Sequence, residues 1–132
     1  MRKQILKQRK TGEQRRRNYK VSIEKRIKRY IKDGGKGNLD LRRSPVEKLP
    51  DNLQVVGDLI LSGTSIEKLP DNLKVGGSLD LRNTPIKELP DNLKVAAGLD
   101  LRNTPLSKKY SREEIRSIIG KRGGYVKGLI VL

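Results

Sequence analysis

The chain has 132 residues, 33% of them hydrophobic and 3% aromatic, with no Phe and no Trp, so any core must be built from Leu, Ile and Val. It contains neither Cys nor His, which excludes disulfides, thiolate zinc sites and cysteine nucleophiles and removes the commonest general base and metal ligand, so no catalytic residue, metal or cofactor is expected. The formal net charge of +16 is uneven: residues 1–36 carry 15 Lys+Arg against 3 Asp+Glu, residues 37–110 carry 11 against 10, and residues 111–132 carry 5 against 2.

Residues 1–20 read as a basic arm. They include Arg2, Lys3, Lys7, Arg9, Lys10, Arg15, Arg16, Arg17 and Lys20, and Ile5 and Leu6 are the large apolar residues ahead of Tyr19. Such a segment buries too little to fold alone, and Thr11-Gly12 interrupts a helix, so the arm is expected to be flexible. It has no apolar core of the kind a secretory signal needs, and no run in the chain approaches the ~18 apolar residues of a membrane span.

Residues 21–36 read as a capping helix. In VSIEKRIKRYIKD, Ile23, Ile27, Tyr30 and Ile31 fall at i, i+4, i+7 and i+8, one stripe of a helix, and Gly34 is placed to end it. The opposite face carries Lys25, Arg26, Lys28, Arg29 and Lys32.

Residues 37–110 repeat at a period of twenty. The rows are LDLRRSPVEKLPDNLQVVGD from Leu39, LILSGTSIEKLPDNLKVGGS from Leu59, LDLRNTPIKELPDNLKVAAG from Leu79, and LDLRNTPLSKKY from Leu99. Leu39, Leu59, Leu79 and Leu99 form one column and Leu41, Leu61, Leu81 and Leu101 another. Being two residues apart, they point to one side of a strand. Val46, Ile66, Ile86 and Leu106, the Leu49 and Leu53 columns, and Val55, Val75 and Val95 complete the apolar set. Pro-Asp-Asn at 50–52, 70–72 and 90–92 is turn chemistry. Ser44, Thr64, Thr84 and Thr104 place a hydroxyl where it can satisfy backbone groups from one coil to the next.

These rows resemble the short bacterial and bacteriophage leucine-rich repeats with an LPDNLKVGGxLxL signature and are more distantly similar to the LPxxL-type repeats of secreted bacterial effectors. The resemblance covers residues 37–106 well and the flanks loosely. It implies an α+β repeat fold: a leucine-rich-repeat solenoid with short parallel strands on the concave face. Some effector relatives attach a cysteine-dependent ubiquitin ligase domain, an activity that a chain without Cys does not inherit.

Residues 111–132 read as the C-terminal cap. Ser111-Arg-Glu-Glu114 is a capping-box pattern, Ile115, Ile118 and Ile119 follow at helical spacing, and Gly123-Gly124 breaks the chain. Val126–Leu132 then matches Val75–Leu81. A fifth strand is expected there, with Ile130 and Leu132 in the two Leu columns and the last coil lengthened from 20 to 31 residues. Its uncovered edge is a place where a second copy can pair.

Two binding readings follow. The residues beside the Leu columns point outward: Asp40, Ile60, Asp80, Asp100 and Val131, then Arg42, Ser62, Arg82 and Arg102, then Arg43, Gly63, Asn83 and Asn103. Asp40, Arg42, Arg43, Ile60, Asp80, Arg82, Asp100, Arg102 and Val131 are the candidates for holding a protein partner, alongside the plainer reading that the Asp and Arg columns merely neutralise one another. The arm and the basic face of the helix are the candidates for RNA or DNA phosphates. No membrane partner is expected. Asp40, Asp80 and Asp100 recur with the repeat and so read as scaffold, not as catalytic carboxylates. The expectation is a non-enzymatic, phage-encoded binding protein acting in virion assembly or against a host or defence factor, located in the host cytoplasm or the virion.

Overall fold

The computed structural model describes residues 12–132. The first element is the helix α1, Gly12–Lys32. It begins nine residues ahead of the expected Val21, so the second half of the supposed flexible arm is helical. Ile23 and Ile27 are buried and Tyr30 is half-buried, but Ile31, expected on the same stripe, is 46% exposed. The helix closes on Gly34 and Gly35, both at positive φ. The Gly34 amide donates to the Ile31 carbonyl and the Gly35 amide to the Tyr30 carbonyl, a pairing that satisfies the last turn and turns the chain into the first coil.

From there the chain winds as a solenoid of stacked parallel strands. The strands β1 Leu39–Asp40, β3 Leu59–Ile60, β5 Leu79–Asp80, β7 Leu99–Asp100 and β9 Ile130–Val131 form one five-stranded parallel sheet. A second parallel sheet, of four strands, is made by β2 Gln54–Val55, β4 Lys74–Val75, β6 Lys94–Val95 and β8 Tyr125–Val126. The register steps by twenty residues in the first three turns, Leu39 to Leu59 to Leu79 to Leu99, and then by 31 to Ile130. The second sheet was not expected from the sequence, which placed strands on one side of the coil only. Its Val55, Val75, Val95 and Val126 face the same core as the Leu columns.

That core is a stack of identical layers. Leu59, Leu61, Ile66, Leu73, Leu79, Leu81, Ile86 and Leu93 have essentially no solvent exposure. Each side chain of this kind contributes about 1.5–3 kcal/mol by leaving water, which explains how strands two residues long can hold a fold without aromatics.

The longer fourth turn contains α2, Pro105–Lys109, and α3, Arg112–Lys121. Ser111 caps α3 as a full capping box with Glu114, as the sequence predicts. Ile115 and Ile119, four apart, are buried in the core, and β9 returns in register with Ile130 opposite Leu99. The short helix α2, with Thr104 at its N-cap, was not anticipated.

Candidate binding surfaces

The outward residues of the first sheet follow from its pleat: Leu39, Leu59, Leu79 and Leu99 point in, so Asp40, Ile60, Asp80 and Asp100 point out, half-buried by their neighbours. Each Asp is clasped by the Arg two residues on. In the first coil Arg42 Nε and Nη2 donate to Asp40 Oδ1 and Oδ2 at 3.1 and 2.8 Å. Arg82 does the same to Asp80 at 3.0 and 2.8 Å, and Arg102 to Asp100 at 3.0 and 2.7 Å. The Arg backbone amide adds a third bond of 3.1 Å to Oδ1 in every case. Arg82 also lies 3.6 Å from Asp100 in the next coil. These bidentate pairs hold Asp40 below the usual carboxylate range, mainly through the Arg42 hydrogen bonds. Burial pushes Asp100 upward, yet the Arg102 hydrogen bonds and the nearby Arg82 charge leave it below its ordinary value. Asp40 and Asp100 are thus ionised acceptors already occupied, the opposite of a carboxyl raised towards neutrality for proton transfer, and Asp80 is engaged by Arg82 in the same bidentate geometry.

Arg43 belongs to a different kind of column. It has φ +52°, and Gly63, Asn83 and Asn103, which occupy the same position in later coils, lie at +72°, +58° and +57°. The column is set by the left-handed backbone that the turn requires, which Gly and Asn tolerate best. Asn103 donates to Asn83 at 2.7 Å, extending the ladder between coils.

The Asp–Arg pattern fails at Ile60 and at Val131. Between them is an open cleft of about 340 Å³, lined by Ile60, Val131, Leu129 and the edges of Asp58, Asp80 and Asp100. Leu129, which the sequence did not single out, is 72% exposed and is the most exposed large apolar side chain among the described residues. It follows Gly128, in the turn leading into β9, where the expected repeat has Ser78. A larger depression, about 610 Å³, lies between the outer legs at Glu47, Lys48, Glu67 and Lys68. Charged side chains surround Leu49, Leu69 and Pro70 there, Glu67 and Lys68 forming loose pairs with Lys87 at 3.9 Å and Glu88 at 3.7 Å, and it has no exposed apolar side chain like Leu129, so the smaller cleft is the better candidate.

Of the basic candidates, Lys25, Arg26, Lys28 and Arg29 are exposed along α1, and Arg26 is close enough to contribute to the lowered Asp40. Arg15, Arg16, Arg17 and Lys20 lie within α1, while Arg2, Lys3, Lys7, Arg9 and Lys10 lie outside the described residues. Among the described residues no helix is long and apolar enough to cross a membrane, and no group of three acidic side chains is placed to hold a metal ion.

The free side of the last coil, expected as an edge for a second copy, is not bare. Arg116, on α3, donates through Nη1 to the Val126 carbonyl and through Nη2 to the Gly128 carbonyl at 2.9 Å; Arg112, one turn earlier, donates through Nε to the Ile130 carbonyl at 2.7 Å. Two guanidinium groups therefore occupy the outward carbonyls of β8, β9 and the link between them, the positions a pairing strand would use. Comparison with family models, with curated proteins and with solved structures found no match for the chain.

Proposed function

We propose that the chain is a non-enzymatic binding module of the leucine-rich-repeat type that holds a protein partner on the outer face of its first sheet. In this reading α1 caps the first coil and α3 with β9 caps the last. The observation that carries it is the interrupted ladder. Asp40, Asp80 and Asp100 are closed off by their own arginines, while Ile60, Val131 and the 72% exposed Leu129 interrupt that rim with an apolar cleft. Ile60 on one side and Val131 with Leu129 on the other offer apolar contacts that expel water, and the Asp80 and Asp100 pairs between them need no new partner. The resemblance of the repeats to bacteriophage sequences supports a role in virion assembly or in restraining a host or defence factor.

The test is affinity capture with the full chain and with the double variant Leu129→Asp, Ile60→Thr. Both positions are outside the buried core, so the variant should keep its melting temperature within a few degrees. A partner retained by the wild type should be lost by the variant, with a drop in affinity of at least tenfold when remeasured with the purified partner. A partner list that stays the same rules the cleft out.

A second reading has its own observation. α1 buries Ile23 and Ile27 and leaves Lys25, Arg26, Lys28 and Arg29 in solvent, a basic ridge continuous in sequence with the arm. It supports binding of RNA or DNA phosphates by the arm and the helix.

A further inference from the structure

The second sheet has an outer face unlike that of the first. Its register sets Gln54, Lys74, Lys94 and Tyr125 side by side in successive strands, all exposed. One column further on, Val56, Gly76, Ala96 and Lys127 follow the same order. The Val56 amide donates to the Gly35 carbonyl and the Gly57 amide to the Gly37 carbonyl, both at 2.9 Å. Lys36 therefore extends this second column towards α1. No acidic residue lies in these strands. Among the described residues Lys74, Lys94 and Lys127 form no ion pair, whereas every Asp on the first sheet is paired with an Arg. The nearest acidic column, Asp51, Asp71 and Asp91, sits on the preceding turn. There the Asp91 carboxylate is held by Arg122 at 3.2 Å and the Asp71 carboxylate accepts the Asp91 amide at 3.0 Å.

Like charges in adjacent strands repel one another and weaken the sheet. A row of them without counter-charge is a surface suited to an anion from outside. The face also lacks what a protein interface needs. Apart from Val56 and Tyr125 it has no large apolar group, and its floor at Gly76 and Ala96 is flat. At Gly76 a Cβ would lie 2.2 Å from the Val56 carbonyl oxygen, so the floor cannot be built up. Lys74 and Lys94 sit in adjacent strands about 4.8 Å apart, Tyr125 takes the next place in that row, and Lys127 lies two residues beyond Tyr125. Lys127 Nζ stands 5.2 Å from the centre of the Tyr125 ring.

We propose that the outer face of the second sheet binds single-stranded nucleic acid, with phosphates along Lys74, Lys94 and Lys127 and one base against the Tyr125 ring. A flexible single strand can follow a narrow row of cations across three strands and stack on one ring, which a stiff duplex cannot do. This surface is separate from the cleft on the first sheet, and it adds to the arm and helix a site on the solenoid itself.

The experiment is fluorescence anisotropy of a labelled twenty-nucleotide oligo(dT) and oligo(U) with the full chain, over a salt series. The comparison is between Lys74→Gln/Lys94→Gln/Lys127→Gln and a control triple on the outer legs, Lys48→Gln/Lys68→Gln/Lys87→Gln, which removes the same charge. Gln54 already occupies the position of Lys74 and Lys94, so glutamine suits the fold there. The sheet variant should bind at least tenfold more weakly at low salt, and its slope of log K against log salt should be shallower by about 2, since each phosphate contact to a single strand contributes about 0.7. The control should stay within threefold of wild type. Equal losses in the two triples would reduce the effect to net charge and overturn the proposal. So would an unchanged slope in the sheet variant, which assigns binding to the arm and α1, or preference for a duplex or for polyglutamate over the single strand.

Discussion

At the scale of single residues, one column of hydroxyls is instructive. Thr64, Thr84 and Thr104 are buried, and each Oγ1 donates to the carbonyl three residues back, at 2.7, 2.8 and 2.7 Å. The bond stays within its own coil, where the sequence suggested a link between coils. Ser44 holds the same position in the first coil, is equally buried, and its hydroxyl has no partner among the described residues. A buried hydroxyl without a partner carries a desolvation penalty of about 1–3 kcal/mol, while a satisfied one contributes about 1 kcal/mol net. Ser44→Ala should therefore be neutral or stabilising, and Thr84→Ala should destabilise by about 1–3 kcal/mol, which also includes the lost methyl packing. Chemical denaturation of the two variants checks this. Equal destabilisation would mean that Ser44 is satisfied after all.

At the scale of elements, the space between coils is set by a polar column just before each strand of the first sheet. Asn38 Oδ1 accepts the Asp58 amide at 2.8 Å, Asp58 Oδ1 accepts the Ser78 amide at 2.7 Å, and Ser78 Oγ accepts the Gly98 amide at 3.3 Å. The residue before each donating amide must make room for the acceptor. A Cβ on Gly57 would lie 2.2 Å from Asn38 Oδ1, and one on Gly77 would lie 2.1 Å from Asp58 Oδ1. Where the acceptor is the shorter Ser78, the matching residue is Ala97. Gly77→Ala alone should cost on the order of 2–3 kcal/mol through overpacking. The paired change Gly77→Ala with Asp58→Ser copies the next coil and should recover most of that loss, which a double-mutant cycle measures. This pairing also shows what the sequence made legible. The twenty-residue period fixes the Leu columns and, through Val126–Leu132, the fifth strand, because burial repeats with the coil. Gly57, Gly77 and Gly128 hold equivalent places in the repeat, but their reason lies one coil earlier, in the side-chain oxygens of Asn38 and Asp58 and in the Ala97 backbone. The second sheet was missed because Gln54-Val55 and its copies are strands of only two residues with a single buried position, too short for alternation to show. Leu129 was passed over because its place in the repeat, at Ser78, is polar.

At the scale of the whole molecule, both sheets advance together, by twenty residues per regular turn and by 31 in the last, and each layer packs only on its neighbours. The first sheet keeps its charge closed, the second leaves it open, and α1 and α3 lie at opposite ends of the stack. Stability should then grow with the number of layers. Duplicating residues 59–78 as a complete coil should raise the denaturation midpoint and lengthen the particle by about 5 Å in solution scattering, one strand spacing. A lower midpoint would mean that the ends, and not the layers, hold the fold together.

The constant step also makes the solenoid a ruler. The distance from the basic helix at one end to the tyrosine at the other is counted in coils, and copies of the coils that carry Lys74 and Lys94 would each add one lysine to the scale. Copying or deleting a twenty-residue unit changes the reach of the molecule in increments of about 5 Å without disturbing either end.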